Sequence, residues 1–425
     1  MNYFEAKRLI PIPAAILILC AFISIAGCNG ISGEFEPDAL YLTWQHDPST
    51  SITIDWHTRQ LDNNRPRVLQ FRKQGEDTWQ ERPAHFREFP FSDRKINRTE
   101  IRGLEPSTTY EFRFGHGSKV YHFNTLPATL SNGETVRFVT GGDTSDERHQ
   151  MSAEAMKHNP DFILWGGDLA YANGDPERIE MWYGWFDGIM ESFISDEGRV
   201  VPVVVAIGNH ELFGERRLHR QDLTDEEINA YLARYNVWDD KPTFFFDLFA
   251  FPGRPSYNLL DFGDYMTIFA LDSDHYSAVE GGQTGWLREV LRERQHRPHL
   301  FPVYHVPAYP SHRSYEGTTS RRIRDNWVPL FEEFGVTASF ENHDHTYKRT
   351  HPIRGGQISE DGIVYIGDGC WGRSCRDGDS KDEWYIKEFA SVRHGIVVTI
   401  SENEQHFLAV SEDGEVIDEH RIILN

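Results

Sequence analysis

The chain has 425 residues, and its 66 acidic side chains outnumber the 43 basic ones to give a formal net charge of −23. This acidity argues against nucleic acid as a partner, because phosphate backbones bind basic surfaces. The length predicts two domains with sizeable cores, and a hydrophobic fraction of 39% together with 34 glycines argues against a disordered chain.

Residues 1–27 have the pattern of a secretory signal peptide. Lys7 and Arg8 precede an apolar run over residues 9–25, and small residues follow it. Two prolines inside the run argue against a membrane-spanning helix, which needs about 20 apolar residues. We therefore expect this segment to direct export and to be removed.

The end of this segment, Ile25-Ala26-Gly27-Cys28, resembles the lipobox of bacterial lipoproteins. Such chains are cut before the cysteine, which then carries lipid, so Cys28 is the expected lipidation site and residues 28–37 form a polar tether. Asn29, rather than aspartate, favours a lipid anchor in the outer over the inner membrane of a bacterium. The alternative is an ordinary signal peptide with an incidental cysteine, which would still place the protein outside the cytoplasm.

Export also places the remaining cysteines in an oxidising compartment. Cys20 leaves with the signal peptide and Cys28 takes lipid, so Cys370 and Cys375 remain. A disulfide that closes this short loop is favoured over a pair of free thiols.

Apolar and polar side chains alternate from Asp38 to about residue 128, as at Ile52, Ile54 and Trp56. This period of two is typical of half-buried strands. The stretch LEPSTTY (104–110) resembles the tyrosine corner of fibronectin type III and immunoglobulin-like sandwiches. Residues 38–128 are therefore predicted to form a fibronectin type III-like β-sandwich.

From Thr135 onward, apolar strands alternate with helical stretches, a pattern typical of α/β sheets. The predicted strands are Val136–Thr140, Phe162–Trp165, Val201–Ile207, Met266–Leu271, Leu300–Tyr304, Val336–Phe340 and Ile363–Ile366. The predicted helices are Glu180–Phe193, Asp225–Tyr235, Thr284–Gln295 and Asn326–Phe334. Antiparallel strands are predicted in the tail at Gly395–Ile400, His406–Val410 and Val416–Ile423. The aromatic-rich residues 238–256 are expected either to border the active site or to form a packed connection.

Six segments each place an aspartate, asparagine or histidine just beyond an apolar stretch. They are GGDTS (141–145), GGDLAY (166–171), GNHE (208–211), VYHVP (303–307), ENHDH (341–345) and GDG (367–369). Each alone is common in turns, but open α/β sheets collect functional residues at the carboxyl ends of their strands. Oxygen and imidazole ligands suit iron, manganese or zinc. The set indicates a two-metal hydrolase, whose bound cations would reverse the negative charge of the chain locally.

In combination these motifs resemble those of the calcineurin-like metallophosphoesterases and, among them, the purple acid phosphatases. The resemblance extends from about residue 38 to the C-terminus and includes FGDYMTIFALDSD (262–274), QTGWLREVL (283–291), HVPAYPS (305–311) and NHDHTYKR (342–349). It implies that a four-layer α/β/β/α domain, at residues 133–425, follows the sandwich. It also implies two metal ions, Fe(III) together with a second Fe, Zn or Mn.

The resemblance further implies a set of metal ligands, in which Asp168 bridges the two ions. The first ion would also bind Asp143, Tyr171 and His345, and the second would also bind Asn209, His305 and His343. In the family the tyrosine supplies a phenolate that selects ferric iron. The alternative for this tyrosine is an aromatic packing residue beside the site.

Two further histidines are catalytic candidates. His210 matches the family histidine that contacts the substrate phosphate. The family's acid histidines do not align here, and the nearest candidate to protonate the leaving group is His312, seven residues after His305. Ser145 and Asn342 replace glycines of the family pattern. These replacements remove no ligand, but the local backbone conformation is expected to differ from that of the family.

The predicted activity is hydrolysis of small phosphate monoesters by metal-activated hydroxide, without a covalent nucleophile. One alternative is a phosphodiesterase of the same family, for which the altered acid loop leaves room. Another is a non-catalytic surface lipoprotein whose sandwich binds a partner, although retention of all seven ligands favours an enzyme. The sequence leaves the natural substrate and the oligomeric state open.

Overall fold

The structure, a computed structural model, describes residues 35–59, 68–131, 133–145, 150–213, 244–367 and 369–424. The predicted signal peptide and Cys28 lie outside these residues, as do the helix predicted at Asp225–Tyr235 and Asp368 of the last motif. The described residues belong to one compact unit that begins at Phe35. Across these ranges, no helix combines the length and the apolar character that crossing a membrane requires.

The described part of the N-terminal domain consists of two four-stranded antiparallel sheets. One sheet has the order β1 (Ala39–Thr43), β2 (Ser51–Arg59), β6 (Arg94–Arg102) and β5 (His85–Glu88). The other has the order β4 (Gln80–Pro83), β3 (Val68–Lys73), β7 (Thr109–Arg113) and β8 (Tyr121–Asn124). The backbone N–H of Glu105 donates to the hydroxyl of Tyr110 (3.0 Å), which is the contact of a tyrosine corner.

The second domain contains a six-stranded and a seven-stranded mixed sheet. The first has the order β11 (Val203–Val205), β10 (Phe162–Trp165), β9 (Val136–Gly141), β21 (His394–Ile400), β22 (Glu404–Ser411) and β23 (Val416–Ile423). The second has the order β12 (Asn258–Phe262), β13 (Met266–Ala270), β14 (His299–Val303), β15 (Ala338–Glu341), β19 (Val364–Gly367), β16 (Tyr347–Thr350) and β20 (Ile386–Ala390). Strands β9 to β11 run parallel, as do β13, β14, β15 and β19. A separate hairpin pairs β17 (Ile353–Arg354) with β18 (Gln357–Ile358).

Alternating side chains of the central strands are buried on both faces of each sheet. The Phe138 ring packs between the sheets, 5.9 Å from the rings of Phe301 and Phe340, whereas Val139 belongs to the outer core beneath the helices. Because successive strand residues point to opposite faces, apolar strands of this kind need cover on both sides. The domain therefore has four layers, α/β/β/α, and the predicted fold class is confirmed.

Helices cover the two outer faces. Helices α1 (Gln150–Lys157) and α2 (Ile179–Phe193) pack on the six-stranded sheet, and α4 (Thr284–Arg294), α5 (Thr318–Asn326) and α6 (Val328–Glu333) pack on the seven-stranded sheet. The sequence did not predict α5, because only Ser320 and Ile323 of its nine residues are buried and no apolar period marks it. The helix predicted at Asn326–Phe334 is present as α6, which begins two residues later, at Val328, because Pro329 fits only the first turn of a helix.

The aromatic-rich segment is a packed connection in the part that the structure describes. Helix α3 (Phe245–Leu248) lies in the same apolar cluster as α2. The sandwich contacts this helix through Tyr41 and Arg98, which both donate to the carbonyl oxygen of Leu248, at 2.5 and 3.2 Å. These bonds join the two domains beside the segment. Residues 238–243 lie outside the described residues.

Candidate metal centre

The predicted ligands follow strands whose carboxyl ends meet at one end of the second domain. Asp143 and Asp168 follow β9 and β10, and His305 follows β14 in the other sheet. His343 and His345 lie in the connection from β15 to β16. Parallel strands deliver their carboxyl ends to the same edge of a sheet, which brings these loops together.

Asp143, Tyr171 and His345 form a first group of donor atoms. The Tyr171 hydroxyl donates to Oδ1 of Asp143 (2.8 Å) and lies 3.3 Å from Nε2 of His345, which is 2.9 Å from the same carboxylate oxygen. Burial opposes ionisation of Asp143, but His345 and His305 hold the pKa of this carboxyl below its usual value. Burial and the Asp143 carboxylate raise the pKa of the Tyr171 hydroxyl, so that a phenolate there needs a nearby cation.

Asp168, His305 and His343 form a second group. Nε2 of His305 lies 3.0 Å from Oδ2 of Asp168 and 3.0 Å from Nδ1 of His343. The ligand atoms of all three residues lie within 4.8 Å of one another, close enough to hold one metal ion. Burial lowers the pKa of His305, but attraction to Asp168 and Asp143 outweighs it and raises this pKa to about 9.

Hydrogen bonds to backbone carbonyls set which nitrogen of two histidines faces the centre. Nδ1 of His305 lies 2.9 Å from the carbonyl oxygen of Gly166, and Nδ1 of His345 lies 3.2 Å from that of Ser374. In each neutral ring the Nδ1–H therefore donates outward and Nε2 carries the lone pair. Each lone pair faces a carboxylate oxygen, at 3.0 and 2.9 Å, and the two repel unless a proton or a metal cation lies between them. The donor set thus fits bound metal.

The backbone is strained at these ligands. The angle φ is positive at Asp143 (58°), Asp168 (54°), Tyr171 (57°), His343 (78°) and His345 (56°). Aspartate and histidine visit this left-handed region more readily than most residues do, but a tyrosine rarely does. Such residues cost about 1–3 kcal/mol each and cluster at functional sites. The strain at five of the seven proposed ligands favours a site shaped for binding rather than for stability.

The asparagine that replaces the family glycine before His343 is accommodated by two other glycines. A Cβ atom at Gly166 would lie 1.7 Å from Nδ2 of Asn342, and one at Gly142 would lie 2.5 Å from its Oδ1. The Asn342 amide also donates to the carbonyl oxygen of Tyr304 (3.1 Å). The side chain of Asn342 therefore packs between the two sheets, in space that Gly142 and Gly166 leave open.

Glu211, the last residue of GNHE, connects two of the ligand loops, and the sequence analysis gave it no role. Its carboxylate accepts the backbone N–H groups of Gly208 (2.7 Å), Asp168 (2.9 Å) and Leu169 (2.8 Å). Burial and the Asp168 carboxylate raise the pKa of Glu211 to about 7. This residue holds the proposed bridging aspartate against the loop that carries Asn209.

His210 lies beside both groups of donor atoms. Its backbone N–H donates to Oδ1 of Asp168 (2.6 Å), and its ring lies 4.1 Å from that of Tyr171. Nδ1 lies 2.5 Å from the side-chain oxygen of Asn173, whereas Nε2 lies 3.7 Å from Oδ2 of Asp168. The preceding residue, Asn209, has a buried side-chain oxygen. With Nδ1–H donating to Asn173, Nε2 is the ring atom that can meet a phosphoryl oxygen, and it donates only when the ring is protonated.

Two histidines lie on the rim of the site. Nδ1 of His312 lies 3.6 Å from the carboxylate of Asp379 on an exposed loop, and its backbone N–H donates to Asp344, between the two ligand histidines (2.8 Å). The ring of His275 lies 5.6 Å from that of His305. The sequence analysis missed His275, although it directly follows the conspicuous stretch at 262–274.

Cys370 and Cys375 form a disulfide, and the loop that it closes contacts the first group of donor atoms. The backbone N–H of Arg373 donates to the carbonyl oxygen of Asp143 (3.2 Å), and a loop carbonyl accepts Nδ1–H of His345. The disulfide thus restrains the segment that orients one ligand histidine.

Comparison with known proteins identifies both domains. Residues 37–125 match the purple acid phosphatase N-terminal domain, and residues 112–347, more than half of the chain, match the calcineurin-like phosphoesterases. An uncharacterised protein of Mycobacterium tuberculosis is 24% identical over 369 residues, which cover 77% of this chain and 64% of that protein. Purple acid phosphatase 18 of Arabidopsis thaliana is 25% identical over 367 residues, which cover 84% of this chain and 74% of that protein. The chain therefore spans less than two thirds of the length of its mycobacterial relative.

Solved structures show the same fold. Purple acid phosphatase PPD1 from yellow lupin seeds superposes with a TM-score of 0.71 at 17% identity, covering 91% of this chain and 74% of its own. PhoD superposes with a TM-score of 0.63 at 12% identity, covering 93% of this chain and 94% of its own. The family matches, the two-domain fold and the converging donor atoms lead to one conclusion: this chain belongs to the calcineurin-like phosphoesterases and carries an N-terminal domain of the purple acid phosphatase type.

Proposed function

We propose that this protein hydrolyses small phosphate monoesters at a two-metal centre. The observation that carries the proposal is that Nε2 of His305 and Nε2 of His345 each face a carboxylate oxygen within 3.0 Å, where either a proton or a metal cation is needed between them. When bound, the metal ions, which we propose to be Fe(III) with Fe, Zn or Mn, supply an activated water and offset charge on the phosphoryl oxygens. The family membership supports a phosphoesterase, and the choice of monoesters extends from the purple acid phosphatase relatives.

The protein's own residues orient the substrate. The protonated ring of His210 donates from Nε2 to a phosphoryl oxygen while Asn173 holds Nδ1. The Glu211 carboxylate accepts three backbone N–H groups and so holds Asp168 against the neighbouring loop. His312 remains the proposed proton donor to the leaving group, and His275 is a second candidate because of its contact with His305.

Metal analysis tests the proposed centre. The wild-type protein should hold close to two metal ions, and Asp168→Asn should lose metal and phosphatase activity together, because this carboxylate is proposed to bridge both ions. The matched control is Asp264→Asn, which changes an exposed aspartate between β12 and β13 and should keep both. An Asp168→Asn protein that retained full metal content and activity would show that the bridge is assigned wrongly.

Absorption spectroscopy tests the proposed iron and its tyrosine ligand. An Fe(III)–phenolate pair should give a visible charge-transfer band, and Tyr171→Phe should remove that band without removing the other ligands. An iron-loaded wild-type protein without a visible band would make Tyr171 a packing residue.

A panel of aryl and alkyl monoesters and diesters separates the proposed activity from its alternatives. Faster hydrolysis of diesters would support a phosphodiesterase. A metal-loaded protein that hydrolysed no ester would support a surface binding protein on a phosphoesterase scaffold.

We also propose that the protein is exported and held at a bacterial membrane, preferably the outer membrane, by lipid on Cys28. The support is the lipobox-like ending of the N-terminal segment. Cys28→Ser should release the chain from the membrane fraction because the lipid is its only proposed anchor. Unchanged partitioning of that variant would contradict the lipoprotein assignment.

A further inference from the structure

Two arginines, Arg373 within the loop that the disulfide closes and Arg376 directly after it, have no carboxylate partner within ion-pair distance among the described residues. Within the same residues, Nε of Arg373 is buried and meets no hydrogen-bond acceptor. Other arginines of the chain do have such a partner, and Arg349, for example, pairs with Asp418 at 2.6 Å. A guanidinium beside the site that has no carboxylate partner keeps N–H donors with which it can bind an anionic ligand.

Both arginines stand at the proposed metal centre. The guanidinium of Arg373 lies 4.3 Å from the centroid of the Tyr171 ring, and the ring of His210 lies 4.1 Å from the same ring. Arg373 and His210 therefore both contact the ring of Tyr171. Arg376 donates to the carbonyl oxygen of the proposed ligand His343 (3.3 Å). The two guanidiniums thus add positive charge beside the proposed ligands Tyr171 and His343.

The backbone that carries these arginines is held in place. The disulfide closes the loop, and three of its backbone N–H groups donate to the segments of the first group of donor atoms. These bonds are Trp371 to Gly142 (3.1 Å), Gly372 to Asp143 (3.1 Å) and Arg373 to Asp143 (3.2 Å), and the N–H of Arg376, directly after the loop, donates to His345 (2.9 Å). A restrained loop lowers the ordering cost of binding, so the guanidiniums are pre-organised for an anion.

We propose that Arg373 and Arg376 bind a second anionic group of the substrate, separate from the phosphoryl group that reacts. The inference rests on the proposed phosphomonoesterase function and deepens it by naming the substrate class, which is phosphate esters that also carry a second phosphate or a carboxylate. Arginine binds either group with a planar pair of N–H donors. His210 and the metal ligands then act on the reacting phosphoryl group, while the disulfide loop holds the other end of the substrate.

Three esters with the same propyl chain isolate this effect. They are 3-hydroxypropyl phosphate, propane-1,3-diol bisphosphate and 3-phosphonooxypropanoate, which present a neutral group, a phosphate and a carboxylate. For the metal-loaded wild-type protein, kcat/KM should be about tenfold higher for the bisphosphate, the carboxylate ester or both than for 3-hydroxypropyl phosphate. This is the gain expected from a charge-assisted hydrogen bond. The preferred ester identifies the second group as phosphate or carboxylate.

Variants assign the preference to the loop. Arg373→Gln should remove most of the preference for the ester with a second anionic group. Arg373→Lys should keep part of this preference, because lysine retains the charge without the planar pair of donors. Arg288→Gln, which changes an exposed arginine far from the loop in sequence, should leave the ratio of kcat/KM values unchanged. The ratio is measured on one sample of each protein, so a partly unfolded variant does not distort it. If Arg373→Gln slows all three esters alike, or shifts only the absorption of the centre, the arginine acts on Tyr171 and the proposal is overturned.

Binding gives a readout that does not need turnover. By calorimetry, propane-1,3-bisphosphonate should bind the wild-type protein about tenfold more tightly than propylphosphonate does, and Arg373→Gln should remove this difference. A difference that persists in Arg373→Gln would overturn the proposal. Hydrolysis of none of the three esters by metal-loaded wild type would instead defeat the proposed function, and the calorimetric comparison would still decide the role of the arginine.

Discussion

Replacing Gly166 by alanine should destabilise the protein unless Asn342 is replaced by glycine at the same time. The new Cβ atom would lie 1.7 Å from Nδ2 of Asn342, a distance that no pair of unbonded atoms can keep. Gly166 has no positive φ, so alanine fits its backbone and the amide of Asn342 is the obstacle. The amide must turn away and give up its bond to the buried carbonyl oxygen of Tyr304.

Two costs then add. A buried acceptor that loses its donor costs about 1–3 kcal/mol. Crowding in a packed core costs about 1–3 kcal/mol more. Gly166→Ala alone is therefore expected to lose about 3 kcal/mol of unfolding free energy. Asn342→Gly removes the three atoms nearest to the new Cβ, and the added alanine should then cost less than about 1 kcal/mol.

Urea denaturation of the wild type, the two single variants and the double variant measures this coupling. The expected coupling energy is about 2 kcal/mol in favour of the double variant, within the range for contacting residues. Metal content of the same four proteins reports whether the displacement reaches His343, the neighbour of Asn342. An equal cost of Gly166→Ala in both backgrounds would refute the packing argument.

Three further perturbations follow from the structure. Ser145 has a φ of 64° in place of the family glycine, so Ser145→Gly should raise the unfolding free energy by up to about 1 kcal/mol, and a loss of stability would contradict strain at this position. If His312 protonates the leaving group, His312→Ala should slow the hydrolysis of alkyl phosphates at least about tenfold more than that of nitrophenyl phosphate. If His275→Ala shows this selectivity instead, His275 is the proton donor. Burial lowers the pKa of His299 and His394 to about 4 from an ordinary 6.5, so the unfolded chain binds more protons between these pH values. The unfolding free energy that is present above pH 6.5 is then lost as the pH falls toward 4, by up to about 3 kcal/mol for each histidine. His299→Gln should therefore reduce the difference in unfolding free energy between pH 7 and pH 4.5, measured by urea denaturation. An unchanged slope in His299→Gln would rule out its contribution.

Local patterns were sufficient for much of the fold. Strands β10 and β23 have their predicted ends, and the other predicted strands of the second domain differ by two residues or fewer at each end. Their apolar runs are continuous because both faces are buried between layers, which makes them easy to recognise. Helix α5 escaped prediction because it buries only two of its residues. Helix propensity and period carry little signal when tertiary contacts, rather than an apolar face, hold a helix in place.

The sequence by itself determined which donor side chains stand at strand ends, since Asp143, Asp168 and His305 belong to short motifs next to apolar runs. The tertiary structure alone decided which residues surround them. Glu211 is recognisable as a link between two loops only from its bonds to Asp168 and Leu169, and Arg373 is recognisable as a neighbour of the site only from its place over the ring of Tyr171. Contacts of this kind depend on the order of strands in two sheets and on how the loops between them pack. No local pattern encodes them, because each residue type in them also occurs in ordinary turns and on ordinary surfaces.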